Sequence, residues 1–144
     1  MKLALSKPAY WVDVSQAGKP STYCTSPGAS ENVLQVSYTE NKSGIKLEPT
    51  PPLEKMVLQQ VQKLGVSVLS SESGECAYGV FGSAVGSTDR FPHFQMWLIS
   101  NDTHFITATF TCNVPPTQEE LRDVSTAIAS LQLTIEAKSK WKLW

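Results

Sequence analysis

The chain has 144 residues, a formal net charge of −1 and a charged fraction of 17%. This length is enough to bury one hydrophobic core, which indicates a single domain. The hydrophobic fraction of 41% excludes an intrinsically disordered chain. Arg90 and Arg122 are its only arginines. Without a basic excess or clustered arginine, the composition disfavours nucleic-acid binding and charge-driven membrane binding.

The N-terminal residues and the cysteines bear on location and cofactors. No apolar run approaches the roughly 18 residues of a membrane-spanning helix. The apolar patch at 3–6 is shorter than the apolar centre of a signal peptide, so we expect a cytoplasmic protein without a leader. Cys24, Cys76 and Cys112 match no metal or redox spacing, which indicates buried free thiols. We expect neither a metal nor a cofactor.

The first forty residues predict short strands separated by turns. Residues 10–14 alternate and predict a strand that begins the sheet. Residues 33–39 alternate more clearly and predict a half-buried strand. The turn-forming residues at 41–44 also permit a hairpin between 33–39 and 45–47.

Two helices are predicted from apolar stripes between capping residues. The first covers about 51–64, with Thr50 as N-cap and Gly65 at the residue after the helix. The second covers about 118–131, with Thr117 and Glu120 forming a capping box. The stripes consist of Leu53, Val57, Val61 and Leu64 in the first helix and Leu121, Val124, Ile128 and Leu131 in the second.

Two polar segments between the helices are predicted as loops. Residues 66–69 predict a strand, and 70–75 follow it as a polar loop. Residues 82–92 are rich in small residues and lack a periodic pattern, which predicts a mobile or partner-binding loop. The candidate protein-binding residues in these segments are Glu72, Glu75, Asp89 and Arg90.

A hairpin follows, with two alternating strands. We expect its core faces to consist of Phe94, Met96 and Leu98 on the first strand and Ile106, Ala108 and Phe110 on the second. The opposite face is then open to solvent or a partner, and its candidate binding residues are Trp97, Thr107 and Thr109. A register shift of one residue would reverse either strand.

No catalytic motif is recognisable in the sequence. A Cys–His nucleophilic site requires the two side chains within hydrogen-bond reach, and Cys76 with His93 is the pair that the sequence leaves open. Glu119 and Glu120 begin a helix, where negative charge has a structural role. Phosphate-binding glycine loops and zinc-protease motifs are absent from the sequence. These observations predict a protein that is not an enzyme.

Several segments together resemble the PsbP-like fold group. They are LQVSY at 34–38, the helix at 51–64, MWLI at 96–99, ITATFTC at 106–112 and ASLQL at 129–133. The resemblance covers most of residues 10–135 and implies a twisted antiparallel sheet packed against helices from both halves of the chain. It also implies binding, since members include photosystem extrinsic subunits, a Ran-binding nuclear import factor and bacterial effector chaperones. No functional residue of the group maps onto this chain.

The sequence therefore predicts one α+β domain over 1–137, followed by a Lys- and Trp-containing tail at 138–144. We expect a non-enzymatic protein-binding protein, most concretely an immunity protein that binds and blocks a cognate bacterial toxin. Glu72 and Glu75 would steer its association with a basic toxin. One alternative is a chaperone or adaptor for a secreted effector, which needs an exposed hydrophobic groove. Another is a small-ligand-binding domain, which needs a cavity of roughly 300 Å³.

Overall fold

The computed structural model describes residues 2–25, 32–40, 53–100 and 104–134, which form one α+β domain. Its strands are β1 Lys2–Ala4, β2 Val12–Asp13, β3 Ser21–Cys24, β4 Asn32–Glu40, β5 Ser67–Glu75, β6 Val80–Ser87, β7 His93–Ser100, β8 His104–Cys112 and β9 Gln132–Thr134. Its helices are α1 Glu54–Lys63 and α2 Gln118–Ala129. The predicted pair of helices is confirmed, and each helix ends slightly earlier than expected, α1 at Lys63 and α2 at Ala129.

Seven strands form an antiparallel sheet in the order β2-β3-β4-β8-β7-β6-β5. β1 and β9 pair separately as a two-stranded antiparallel sheet. The predicted antiparallel sheet packed with two helices is thus confirmed. The expected N-cap Thr50, the hairpin with 45–47 and the tail at 138–144 lie outside the described residues.

The two helices pack on opposite faces of the large sheet. Val57 and Val61 of α1 form one cluster with residues of β6 and β7, among them Ala84, Phe94 and Met96. A larger cluster lies on the α2 face; it contains Leu34, Val36, Trp97, Ile99, Ile106, Ala108, Phe110, Val124, Ala127, Ile128 and Leu131. β7 therefore contributes side chains to both clusters.

This two-sided core corrects the predicted faces of the hairpin. Trp97 pairs with Ala108, so its side chain lies on the α2 face, where it is only 4% exposed. Met96 pairs with Thr109 and lies on the α1 face. The residues predicted as core are buried apart from the half-buried Leu98, but the Met96 and Ala108 faces pack on opposite sides of the sheet and not in one core. The prediction that Trp97 is an exposed anchor was wrong. When both faces of a strand are buried, alternation does not show which face is the core.

Both polar segments predicted as loops are strands. β5 continues to Glu75, and β6 takes up most of the predicted 82–92 loop. The predicted loop lacks an alternating apolar pattern partly because Gly82 stands at a buried position. A Cβ at this position would lie 2.5 Å from the backbone nitrogen of Glu54 in α1. The small side chain lets α1 approach β6 closely and leaves no apolar residue to mark the buried face.

The C-terminal end of α1 and the N-terminal end of α2 agree with the capping residues of the sequence. Gly65 has a φ of 79°, the left-handed conformation expected just after a helix. Leu64 is 51% exposed, so the predicted α1 stripe ends at Val61. At α2, the hydroxyl of Thr117 accepts a hydrogen bond from the backbone N–H of Glu120 at 3.1 Å, which confirms the predicted N-cap.

Candidate functional site

The predicted partner-binding residues do not form one surface. Glu72 pairs with Ser83 and Glu75 with Val80, which places these two carboxylates on opposite faces of the sheet. Asp89 lies in the β6–β7 turn, at the opposite end of β6 from Glu75. The structure thus distributes the candidates over three regions, and Trp97 lies in the core.

The first region is the threonine row of β8. Thr107 and Thr109 are half-buried and share a face with Met96. The contacts of α1 fall on β5, β6 and β7, so the same face continues over β8 and β4 beyond the helix. Gln35 of β4, which pairs with Thr109, is exposed. This part of the sheet presents a polar, hydrogen-bonding surface.

The second region is the free edge of the sheet at β5. β5 is the last strand in the sheet order, and among the described residues no strand pairs with its outer side. The side chains of 67–72 are all exposed, and Leu69, at a bulge between Val68 and Ser70, is 83% exposed. Beyond the bulge, the regular edge at 70–75 offers backbone N–H and C=O groups for pairing with another chain.

A polar pocket lies beside this edge, on the α2 face. Its volume is about 270 Å³, and it is lined by Ser70, Ser71, Glu72, Ser83, Val85 and Gln95. Ser83 is only 2% exposed, and no side-chain hydrogen bond of its hydroxyl occurs among the described residues. The amide oxygen of Gln95 lies 3.4 Å from Nε2 of His93, which orients the amide. The pocket is rich in hydrogen-bond acceptors.

The third region is an open pocket of about 390 Å³ at the C-terminal end of α1. It is lined by Leu64, Gly65, Thr88, Asp89, Arg90, Phe91 and Phe94. The guanidinium of Arg90 lies 5.1 Å from the ring centroid of Phe91, a cation–π contact. The hydroxyl of Thr88 accepts from the backbone N–H groups of Arg90 and Phe91 at 3.2 and 2.9 Å. These bonds hold the turn in one conformation.

The structure also places a cysteine beside a histidine. His93, the first residue of β7, pairs with Cys112, the last residue of β8. Cys76 lies at the opposite end of the strands from His93. Its neighbour Glu75 pairs with Val80, and Val80 pairs with Ser100, the last residue of β7. The pairing of Cys76 with His93 is therefore ruled out.

The His93–Cys112 pair lacks the electrostatics of a nucleophilic site. Burial, with a smaller contribution from the charge of Glu120, raises the pKa of Cys112 to about 12. The thiol is therefore protonated at neutral pH, whereas nucleophilic cysteines have a lowered pKa. Burial also lowers the pKa of His93, so this ring is neutral. The Glu120 carboxylate accepts from Thr25 and Asn32, which is a structural arrangement.

Two further features concern metal binding and membranes. Within the described ranges, no group of three or more His, Cys, Asp or Glu side chains is placed to hold a metal ion. Neither α1 nor α2 has the length and apolar character needed to cross a membrane.

Comparison with known proteins gives structural likeness without a family. No protein-family model matches the chain, and a search of curated proteins gives no match. A crystal structure of a protein from Bacteroides thetaiotaomicron is similar, with 13% sequence identity and a TM-score of 0.46. The likeness covers 93% of this chain and 46% of the Bacteroides protein, so the chain spans about half of that protein's length. At these values the likeness carries no functional inference.

Proposed function

We propose that this protein acts by binding another protein, which adds a strand to the free edge of β5. The observation that carries this proposal is the outermost position of β5, with exposed side chains over 67–72. An added strand would gain backbone hydrogen bonds along the edge, and neighbouring pockets would select its side chains. No catalytic step is part of this proposal.

The most concrete form of this function is a cytoplasmic immunity protein that blocks a cognate bacterial toxin. β5 carries Glu72 and Glu75 and no basic residue. Acidic groups beside a pairing edge favour a basic partner and increase its association rate. The resemblance of the sequence to the PsbP-like fold group also supports a binding role, since the members of that group named above are binding proteins.

Photo-crosslinking tests the binding edge directly. A photoreactive amino acid replaces Leu69 at the β5 edge in one variant and Met56, 42% exposed on α1, in a matched control. Irradiation in the native host should give one discrete heterologous adduct at Leu69 and none at Met56. Mapping the adduct should locate an extended segment of the partner. Equal adducts at both sites, or adducts of this chain with itself, would contradict strand addition of a partner.

A neutralisation assay tests the immunity role separately. The crosslinked partner is expressed in a heterologous bacterium with and without this protein. We expect growth arrest without it and growth with it, and the Leu69→Lys variant should lose this protection because charge at an edge opposes pairing. A partner that does not arrest growth would reject the immunity role and leave protein binding in place.

The pocket at the C-terminal end of α1 supports a second candidate, small-ligand binding. Its volume of about 390 Å³ is in the range of ligand sites, and it combines the Phe91 and Phe94 rings with the Arg90 guanidinium. Benzoate, an aromatic anion, is a suitable probe. Saturable chemical-shift changes at Phe91 that are lost in Arg90→Gln would favour this function, and changes that persist unaltered in that variant would reject it.

A further inference from the structure

We infer that the polar pocket beside β5 receives a lysine or arginine side chain of the added strand. This inference rests on the proposed strand addition and specifies its partner chemistry. The pocket is lined on its outer side by Ser70 and Glu72 of the edge strand and on its inner side by Ser83 of β6. It therefore lies where the side chains of an added strand would reach over the edge.

The geometry of a sheet selects a long side chain for this position. Alternate side chains of a strand point to one face, so an added strand would place every second side chain on the face of Glu72 and Ser83. Neighbouring strands are about 4.8 Å apart, and β6 is the second strand from the added one, at roughly 10 Å. A short side chain would reach only β5, whereas the long stem of lysine or arginine extends towards Ser83.

The charge of the pocket selects a cation. Among the described residues that line it, Glu72 is the one ionisable residue, and the other polar side chains on this face are the hydroxyls of Ser70 and Ser83 and the Gln95 amide. Ser83 is only 2% exposed, and its hydroxyl makes no side-chain hydrogen bond among the described residues. An ammonium or guanidinium group would donate to this oxygen and to the Glu72 carboxylate. A carboxylate ligand would instead be repelled by the negative charge of Glu72.

Glu75 provides an internal control for the charge. It belongs to the same strand and also is exposed, but it lies on the opposite face and does not line the pocket. A general attraction of basic peptides to the acidic edge would depend equally on Glu72 and Glu75. Recognition in the pocket depends on Glu72 alone.

The experiment uses three heptapeptides and the ¹⁵N-labelled full chain. Each peptide has threonine at odd positions and valine at the second and sixth; the fourth position is arginine, norleucine or glutamate. We expect the arginine peptide to shift the amide signals of β5 and of Ser83, and to bind about tenfold more tightly than the norleucine peptide. Glu72→Gln should remove this tenfold difference, and Ser83→Ala should reduce it. Glu75→Gln should leave it within about twofold, since a charge-assisted hydrogen bond is worth roughly tenfold in affinity.

The outcomes distinguish failure of the pocket inference from failure of strand addition itself. Equal affinity of the arginine and norleucine peptides, with β5 shifts for both, overturns the pocket inference and retains strand addition. An arginine preference lost equally in Glu72→Gln and Glu75→Gln overturns it as well, in favour of general attraction. No β5 shift with any peptide overturns both proposals. β5 shifts that grow with protein concentration alone identify a second copy of this chain as the occupant and overturn the inference.

Discussion

The side-chain amide of Asn32 donates to Oε2 of Glu120 at 3.0 Å, which connects the first residue of β4 to the first turn of α2. The Thr25 hydroxyl donates to the same oxygen at 2.8 Å, and all three residues are buried. One carboxylate thus satisfies two buried donors from the strand side of the molecule.

Removal of this carboxylate should destabilise the fold. Glu120→Ala leaves the amide of Asn32 without its acceptor in a buried site, so we expect a loss of about 3 kcal/mol in the free energy of unfolding. Glu119→Ala, at an exposed position in the same helical turn, should cost less than about 1 kcal/mol. Urea denaturation followed by circular dichroism measures both values. Similar losses in the two variants would show that the buried hydrogen bonds contribute little.

The close approach of α1 to β6 predicts a difference between two glycines of the sheet. In Gly82→Ala the new Cβ would meet the α1 backbone at 2.5 Å, and the helix must move. We expect a loss of about 2 kcal/mol or more in unfolding free energy. Gly74→Ala places its Cβ 3.2 Å from the flexible ring of Phe81, so it should cost less than about 1 kcal/mol. Equal costs in urea denaturation would mean that the helix contact is not the cause.

Sequence patterns predicted the elements whose burial is one-sided. The α2 stripe is an example, because Val124, Ala127 and Ile128 are buried while Arg122, Ser125 and Thr126 are exposed. Apolar patterning does not reveal most of β6, where Gly82 contacts α1 without an apolar side chain. Patterning also misplaces Trp97. Both faces of β7 are buried, so its alternation does not show which face carries the exposed side chains.

The candidate pocket was only partly accessible to sequence analysis. The charge of Glu72 marks it as a candidate in the sequence, and the structure places it in the pocket lining. Ser83 carries no such signal, since a serine in a glycine-rich segment predicts a loop, and only the β5–β6 register brings it opposite Glu72. Long-range strand pairing of this kind is not encoded in a local pattern.

The phenol of Tyr10 should titrate far above the ordinary range. Its partial burial, together with the hydrogen bond that it donates to Asp123, raises its pKa to about 12. A raised pKa favours the protonated phenol in the folded state, so its stabilising effect is complete below pH 10 and is lost between pH 10 and 12. ¹³C NMR of labelled tyrosine should show little ionisation of Tyr10 at pH 10.5. In Asp123→Asn the midpoint should fall towards 10, and an unchanged midpoint would exclude the hydrogen bond as a cause.

The three free cysteines should differ in reactivity. Cys24 and Cys112 are buried, whereas Cys76 is half-buried. With a pKa of about 12, the fraction of Cys112 present as thiolate at pH 8 is on the order of 10⁻⁴. N-ethylmaleimide should therefore label only Cys76 in the folded protein and all three cysteines in urea, as read by peptide mass spectrometry. Cys76→Ser should abolish labelling of the folded protein. Rapid labelling of Cys112 in the folded state would instead indicate an accessible thiolate beside His93, and a nucleophilic role for this pair would have to be considered.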